Sequence, residues 1–178
     1  AWTWVGQAPG RAWQWVWGTS TTAASGRRIP AMASTFDHAG DVAKGAGGAD
    51  EINDWLQRTG NWVKVNEVMS ARARSYQAQI AGRADEVFVL NDVKFDGMRN
   101  GVLLEAKGPG YGNFAAGDRF KAWFQNEAAI QEQARRQVEA AKNVPIEWHV
   151  ADPDAVPVLE DVLRRFPGIR IVHTPPTP

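Results

Sequence analysis

The chain has no cysteine, no surplus of either charge and no long apolar run, and each absence removes a class of explanation. Without cysteine there are no disulfides, no thiolate metal ligands and no thiol nucleophile. Lys+Arg and Asp+Glu stand at 20 each, so a nucleic-acid partner would have to be held by a local basic patch instead of by net charge. No stretch reaches the roughly 20 apolar residues of a membrane-spanning helix, so no membrane partner is expected. Histidine is sparse as well, and His38, His149 and His173 are too scattered for a metal motif. Neither a Gly-x-Ser-x-Gly elbow nor a P-loop string occurs, which leaves serine-nucleophile chemistry and nucleotide hydrolysis unsupported. The chain opens on Ala1 with no initiator methionine and no basic-then-apolar leader, and reads as a piece cut from the C-terminal end of something larger.

What is present fits one ordinary domain of 178 residues. Five of the nine tryptophans (Trp2, Trp4, Trp13, Trp15, Trp17) fall in residues 1–48, an aromatic arm expected either to cover the core or to dock a partner. Residues 49–178 are expected to form the domain proper. A short amphipathic helix is predicted over 50–58 and ended by Gly60, and a longer one from Asn61 to Gly82 on the spacing of Trp62, Val65, Met69, Tyr76 and Ile80. Three antiparallel strands follow at 86–90, 93–98 and 102–107, with turns at Asn91-Asp92 and Asn100-Gly101. The Gly/Pro-rich stretch from Gly108 to about Arg119 reads as a loop. A helix over 121–142, a strand at 146–150, a helix from Asp152-Pro153 to Pro167-Gly168 and a strand at 169–172 complete the order, with a loose tail at 174–178. The fold class is therefore α/β: helix, three-strand meander, helix, strand, helix, strand, in a mixed sheet flanked by helices.

The second turn carries the chemistry. Asn100-Gly101 suits a type I′ hairpin, which pairs Arg99 with Val102. Counting outward, Asp96 falls opposite Glu105 and Lys94 opposite Lys107, with opposed Cβ atoms roughly 4.5–5.5 Å apart. Alternation then puts Asp96, Glu105 and Lys107 on one face and Phe95, Val102, Leu104 and Ala106 on the other, apolar face. Two carboxylates that close repel, so removing either is not expected to destabilise the apo protein, and a cation is expected to hold both ionised. That pattern points to a divalent-metal site for phosphodiester cleavage, with Mg2+ (or Mn2+) held by Asp96, Glu105 and the Ala106 carbonyl, and with Lys107 placing a water. The alternative is a solvated polar face on an ordinary hairpin.

An acid on the second strand and Glu-x-Lys on the third resemble the restriction-endonuclease-like fold with its PD-(D/E)xK site. The strings Tyr76-Gln77-Ala78-Gln79-Ile80, Val93-Lys94-Phe95-Asp96-Gly97, Leu103-Leu104-Glu105-Ala106-Lys107-Gly108-Pro109-Gly110-Tyr111, Gln133-Ala134-Arg135-Arg136-Gln137 and Trp148-His149-Val150 resemble the toxin family Tox-REase-5 over about residues 61–174. Phe95 stands where the motif has its proline. The resemblance implies a C-terminal toxin domain of a bacterial polymorphic toxin or type VI secretion effector. It would be delivered into a target bacterium's cytoplasm to cut DNA, by way of a secretion chaperone or an upstream delivery domain. In the producer a cognate immunity protein would hold it inactive. An RNA-cutting version and a catalytically silent binding module are the competing readings.

Further residues join the candidate site. Glu67 is either a further metal ligand or a surface glutamate, and Lys94 either a phosphate contact or a solvated lysine. Tyr76, Gln77 and Gln79 would face the site as polar substrate contacts, or simply pack. Gln133 and Gln137, one helical turn apart, could orient the lysine, the water or the substrate. Arg135 and Arg136, with Arg72 and Arg74, could form the basic patch that phosphates need. His149 is either a packed core histidine or a catalytic one.

Overall fold

Two left-handed turns shape the middle of the chain. Asn91 and Asp92 (φ 48° and 62°) and Asn100 and Gly101 (φ 51° and 77°) adopt the conformation that type I′ hairpins demand. The computed structural model describes residues 48–178, so the tryptophan arm expected over residues 1–48 lies, except for Gly48, outside the described residues.

The elements run α1 (Gly48–Thr59), β1 (Asn61–Lys64), α2 (Ala71–Ala81), β2 (Glu86–Leu90), β3 (Val93–Phe95), β4 (Gly97–Arg99), β5 (Val102–Lys107), β6 (Ala115–Ala116), β7 (Arg119–Phe120), α3 (Glu127–Ala141), β8 (Ile146–Val150), α4 (Val156–Leu163) and β9 (Ile169–His173), with 3-10 turns at Tyr111–Phe114 and Pro153–Ala155. The main sheet has the order β4-β5-β8-β9: β4 is antiparallel to β5, while β8 and β9, each reached through a helix, lie parallel to their neighbours. A second sheet runs β1-β2-β3, and β6 and β7 form a small hairpin.

Helices cover both faces of the main sheet. Tyr76 and Ile80 of α2 pack with Leu104 and Ala151 on one side. Ala134 of α3 and Val158 and Leu159 of α4 close the larger core with Leu103, Ile146, Trp148 and Val150 on the other. Both layers are apolar at their centres, as burial requires.

Four expectations need correction. Residues 61–64 form a strand, not the start of a helix. Trp62 and Val63 pair with Phe88 and Val87, Trp62 meets Phe88 edge-on at 5.4 Å, and Arg83 stacks over Trp62, contacts that outweigh the helical spacing. The helix begins only after Ser70, whose hydroxyl accepts the Ala73 N–H, and it ends at Gly82 (φ 76°). The strand predicted over 93–98 breaks at Asp96, with β3 serving β2 and β4 serving β5. The break takes Phe95 into the larger core beside Leu103, away from Leu104. Helix α3 starts six residues later than expected because Phe124 stacks on Phe120 (4.3 Å) and Phe114 (4.8 Å), which holds residues 120–124 in an aromatic turn. The tail is tied down: Thr174 donates to the Val150 carbonyl, and Tyr76 and Gln79 donate to the carbonyls of Thr174 and Pro175.

Candidate active site

The break at Asp96 is where the site begins. Gly97 lies so close to α2 that a Cβ there would stand 2.7 Å from the Ala81 Cβ and 3.0 Å from its Cα, so only glycine lets β4 lie flush against the helix. Asp96 is turned inward as a result, and its Oδ2 accepts the Ala106 N–H at 2.7 Å.

Glu105 and Lys107, two apart on β5, point to the α3 side, and both are only 2% exposed. Lys107 Nζ donates to Glu105 Oε1 (2.9 Å) and to Gln133 Oε1 (2.8 Å), and Gln133 Nε2 donates to the same Glu105 oxygen (2.7 Å). The other oxygen, Oε2, accepts from Gln137 Nε2 (2.8 Å), whose Oε1 accepts the Trp148 indole N–H (2.8 Å). Lysine and indole can only donate, so the orientation of both amides is fixed by their partners. Lys107 also stands 4.2 Å over the Trp148 ring, within cation–π range. Both oxygens of Glu105 and two N–H groups of Lys107 are thus hydrogen-bonded, which is what makes a buried pair tolerable.

The two carboxyls respond differently to the same burial. Burial and the neighbouring charge of Glu105 push Asp96 up to about 7, against the weaker pull of the Ala106 N–H and Lys107. Burial raises Glu105 too, but Lys107 and the bonds from Lys107 and Gln137 outweigh it and hold its carboxyl below the usual range. Burial disfavours the Lys107 ammonium, yet the Glu105 charge beside it leaves its pKa raised.

The pair forms the floor of a cleft of about 740 Å³. One wall carries Glu67, Ser70, Arg72 and Gln77. The other is the loop after Lys107, with Gly110, Tyr111, Lys121 and Trp123. That loop is pinned by Asp152, whose Oδ2 accepts the N–H groups of Gly110 (2.6 Å) and Gly112 (2.9 Å). Gln77 is 5% exposed, and among the described residues its Nε2 has no partner and the Glu67 Oε2 is buried without one.

The structure brings together Asp96, Glu105, Ala106, Lys107, Gln133 and Gln137, with Gln77 and Arg72 on the cleft wall. It separates the others. Tyr76 and Gln79 face the tail, as described above, and the Tyr76 hydroxyl is raised by burial. Gln137 is fully buried and reaches Glu105 and Trp148, so it is a positioning residue and not a substrate contact. Arg135 is exposed and paired with Glu132 (2.7 Å) and Glu139 (2.5 Å), and Arg136 lies 4.0 Å from Glu132; neither lines the cleft. Arg74 is spent on the carbonyls of Glu67 and Ala84. Lys94, expected across from Lys107, instead sits opposite Val89 on the second sheet, with its ammonium 3.7 Å from Glu67. His149 is packed, with Nδ1 2.8 Å from the Thr174 hydroxyl and its pKa lowered by burial.

Among the described residues no three His, Cys, Asp or Glu side chains come together as a metal-binding group, so Glu67 does not complete a triad with Asp96 and Glu105. The donor set still fits a hard divalent cation. Two adjacent carboxylates, a backbone carbonyl and open cleft for water are what Mg2+ takes, and Asp96 is held by one main-chain N–H against a repelling neighbour.

Sequence reasoning missed Trp148, Asp152 and Trp123. Trp148 sits opposite Glu105 in the β5–β8 register, which no local pattern reveals. Asp152 before Pro153 has the signature of a helix start, yet its carboxylate serves a loop 40 residues away.

Comparison with known proteins gives one family: residues 73–153 match the model of Tox-REase-5, restriction endonuclease fold toxin 5. The mixed sheet with helices on both faces is consistent with that fold. No curated protein and no solved structure matches the chain. Among the described residues no helix is long and apolar enough to cross a membrane.

Proposed function

From the family match over residues 73–153 and the site it encloses, we propose that the chain is a metal-dependent nuclease toxin that hydrolyses DNA phosphodiester bonds in a competitor bacterium. The observation that carries this reading is the pair Asp96 and Glu105 at the floor of an open cleft, with Lys107 anchored between Glu105 and Gln133. Asp96, Glu105 and the Ala106 carbonyl are the groups that would hold Mg2+ or Mn2+, and the ion when bound supplies a Lewis acid for the phosphate and a water of lowered pKa.

The chain's own residues do the rest. Gln133 and Gln137 fix both Glu105 oxygens, so the carboxylate is aimed before substrate arrives. Two bonds from Lys107 Nζ go to Glu105 and Gln133, leaving a third N–H for the attacking water or a non-bridging phosphate oxygen. Gln77 lines the cleft, and its buried Nε2, without a partner among the described residues, is the donor that would turn to a phosphate oxygen there. Arg72 and Lys121 at the mouth supply the local positive charge that a neutral protein needs for a polyanion.

A toxin of this kind requires a cognate immunity protein in the producing cell and a delivery route out of it. With Arg135 engaged by two glutamates, an acidic inhibitor would meet Arg72 and Lys121 at the cleft mouth. Incubation of plasmid DNA and of RNA with the protein, with Mg2+ or with chelator, tests the function. Metal-dependent loss of the plasmid with RNA intact is the expected result. Loss of RNA alone would make it a ribonuclease, and no cleavage of either would end the nuclease reading.

A further inference from the structure

The mouth of the cleft carries an aromatic side chain that catalysis does not use. Trp123 is 56% exposed, one of only three large hydrophobic residues so placed among the described residues, and it lines the same cleft as Asp96 and Glu105. It is not a stray surface residue. It stands edge-on to Phe114 at 5.8 Å, Phe114 stands edge-on to Tyr111 at 6.1 Å, and the Phe124 N–H closes the turn onto the Lys121 carbonyl at 2.8 Å. A supported aromatic ring is therefore held at the rim with more than half of its surface in solvent. Its neighbours there are cationic: Lys121, tied through Nζ to the Asn113 carbonyl, and the exposed Arg72 across the cleft beside Gly110.

An aromatic ring flanked by cations above an acidic floor matches one repeat unit of a nucleic-acid strand, base on the ring and phosphates on the cations. We propose that Trp123 is a base-stacking subsite and that the cleft accepts an unpaired strand, so that the preferred substrate is single-stranded nucleic acid or a duplex that has opened locally. This rests on the nuclease reading above and specifies its substrate. The depth of the cleft points the same way. Asp96 and Glu105 are 5% and 2% exposed, so the scissile phosphate must enter the cleft that Trp123 also lines to reach them. Inside a duplex both faces of each base are already stacked on neighbours, and a ring at the rim gains a base only after that base has left the stack.

The test uses oligonucleotides carrying 2-aminopurine, because stacking on a tryptophan quenches that base and the protein's nine tryptophans blur any intrinsic signal. In chelator, the wild-type chain is expected to bind the single strand more tightly than the matching duplex and to quench the probe. Trp123→Ala is expected to lose the quenching and to weaken single-strand binding about tenfold, and Trp123→Phe to keep most of both. Arg72→Ala and Lys121→Ala should each lower the slope of log affinity against log salt by about 0.7. Deoxy and ribo versions of the strand show whether the subsite distinguishes the sugar, and quenching by either supports it. Tighter binding of the duplex, or unchanged strand binding and quenching in Trp123→Ala, would overturn the proposal while leaving metal-dependent cleavage untouched. Binding and quenching without cleavage in Mg2+ or Mn2+ would sink the nuclease reading and leave the stacking subsite standing.

Discussion

The two faces of β5 are built from neighbouring residues of one strand and have opposite chemistry. Toward α2, Val102, Leu104 and Ala106 meet Tyr76, Ile80 and Ala151 in an apolar layer. Toward α3, Leu103 is followed by Glu105 and Lys107, equally buried but clasped by Gln133, Gln137 and Trp148. The first face is stabilised by transfer of apolar area and tolerates any shape that fills the space. Stability on the second depends on every polar atom keeping its partner, because an unmatched charge there has no water to turn to. The contrast separates residues that hold the fold from residues that hold the chemistry.

Glu105→Ala should have the largest effect. It strands the Lys107 ammonium in the interior, so we expect a loss of about 3–5 kcal/mol of stability together with at least ~10³-fold slower cleavage. The opposed-carboxylate argument from sequence anticipates no loss of stability, and the structure reverses that expectation for Glu105 because its charge is matched. Urea denaturation and a plasmid assay on one preparation would check both effects.

Leu104→Ala tests the apolar face. A cavity there should cost about 2–5 kcal/mol, with cleavage per folded molecule changed less than about threefold well below the melting transition. A large turnover defect at full folding would mean that the two faces are not separable.

Gln137→Leu cuts the bridge between Glu105 and Trp148 and leaves the indole N–H unsatisfied. A stability loss of about 1–3 kcal/mol is expected, with a fall in turnover larger than any change in metal affinity, measured by calorimetry alongside initial rates.

At Asp96 the effect on stability has the opposite sign. A carboxyl at about 7 when folded and about 4 when unfolded binds more protons in the folded state between those values. Apo stability should therefore fall as pH rises from about 4 to 7 on account of this group. Asp96→Asn removes that penalty, and we expect the metal-free variant to melt roughly 3 °C or more above wild type at pH 8 while losing activity. Thermal melts across pH in chelator would show it, and a lower melting temperature at pH 8 would refute the repulsion. Glu105, held below its ordinary range, contributes in the other direction: stability present at neutral pH and lost on acidification.

Much of this arrangement was legible in the chain. The Asn100-Gly101 turn set the register that pairs Gly97 with Leu104 and so brings Asp96 within reach of the Glu105 charge, since turn type and strand period are local properties. The four-residue spacing of Gln133 and Gln137 placed them on one helix face. Illegible were the features decided by distant packing. Nothing local says that α3 lies over Glu105 and Lys107, that β8 brings Trp148 under the lysine, or that Tyr76 turns to Thr174 instead of the cleft. Residues 61–64 failed for the same reason, because a strand partner at 86–89 overrode a helical period.

The glutamine clasp also bears on when activity can arise. Besides the bond from Lys107, Glu105 receives its hydrogen bonds from residues 28 and 32 positions later, and Lys107 rests on a ring supplied by β8. A nascent chain synthesised only as far as residue 126 would contain both acids and the lysine yet neither the glutamines that hold Glu105 nor the Trp148 ring under Lys107. Closing that segment onto β5 is a long-range event, slow beside the formation of the hairpin. The buried charges are thus aimed late and all at once, only when α3 and β8 have closed onto β5.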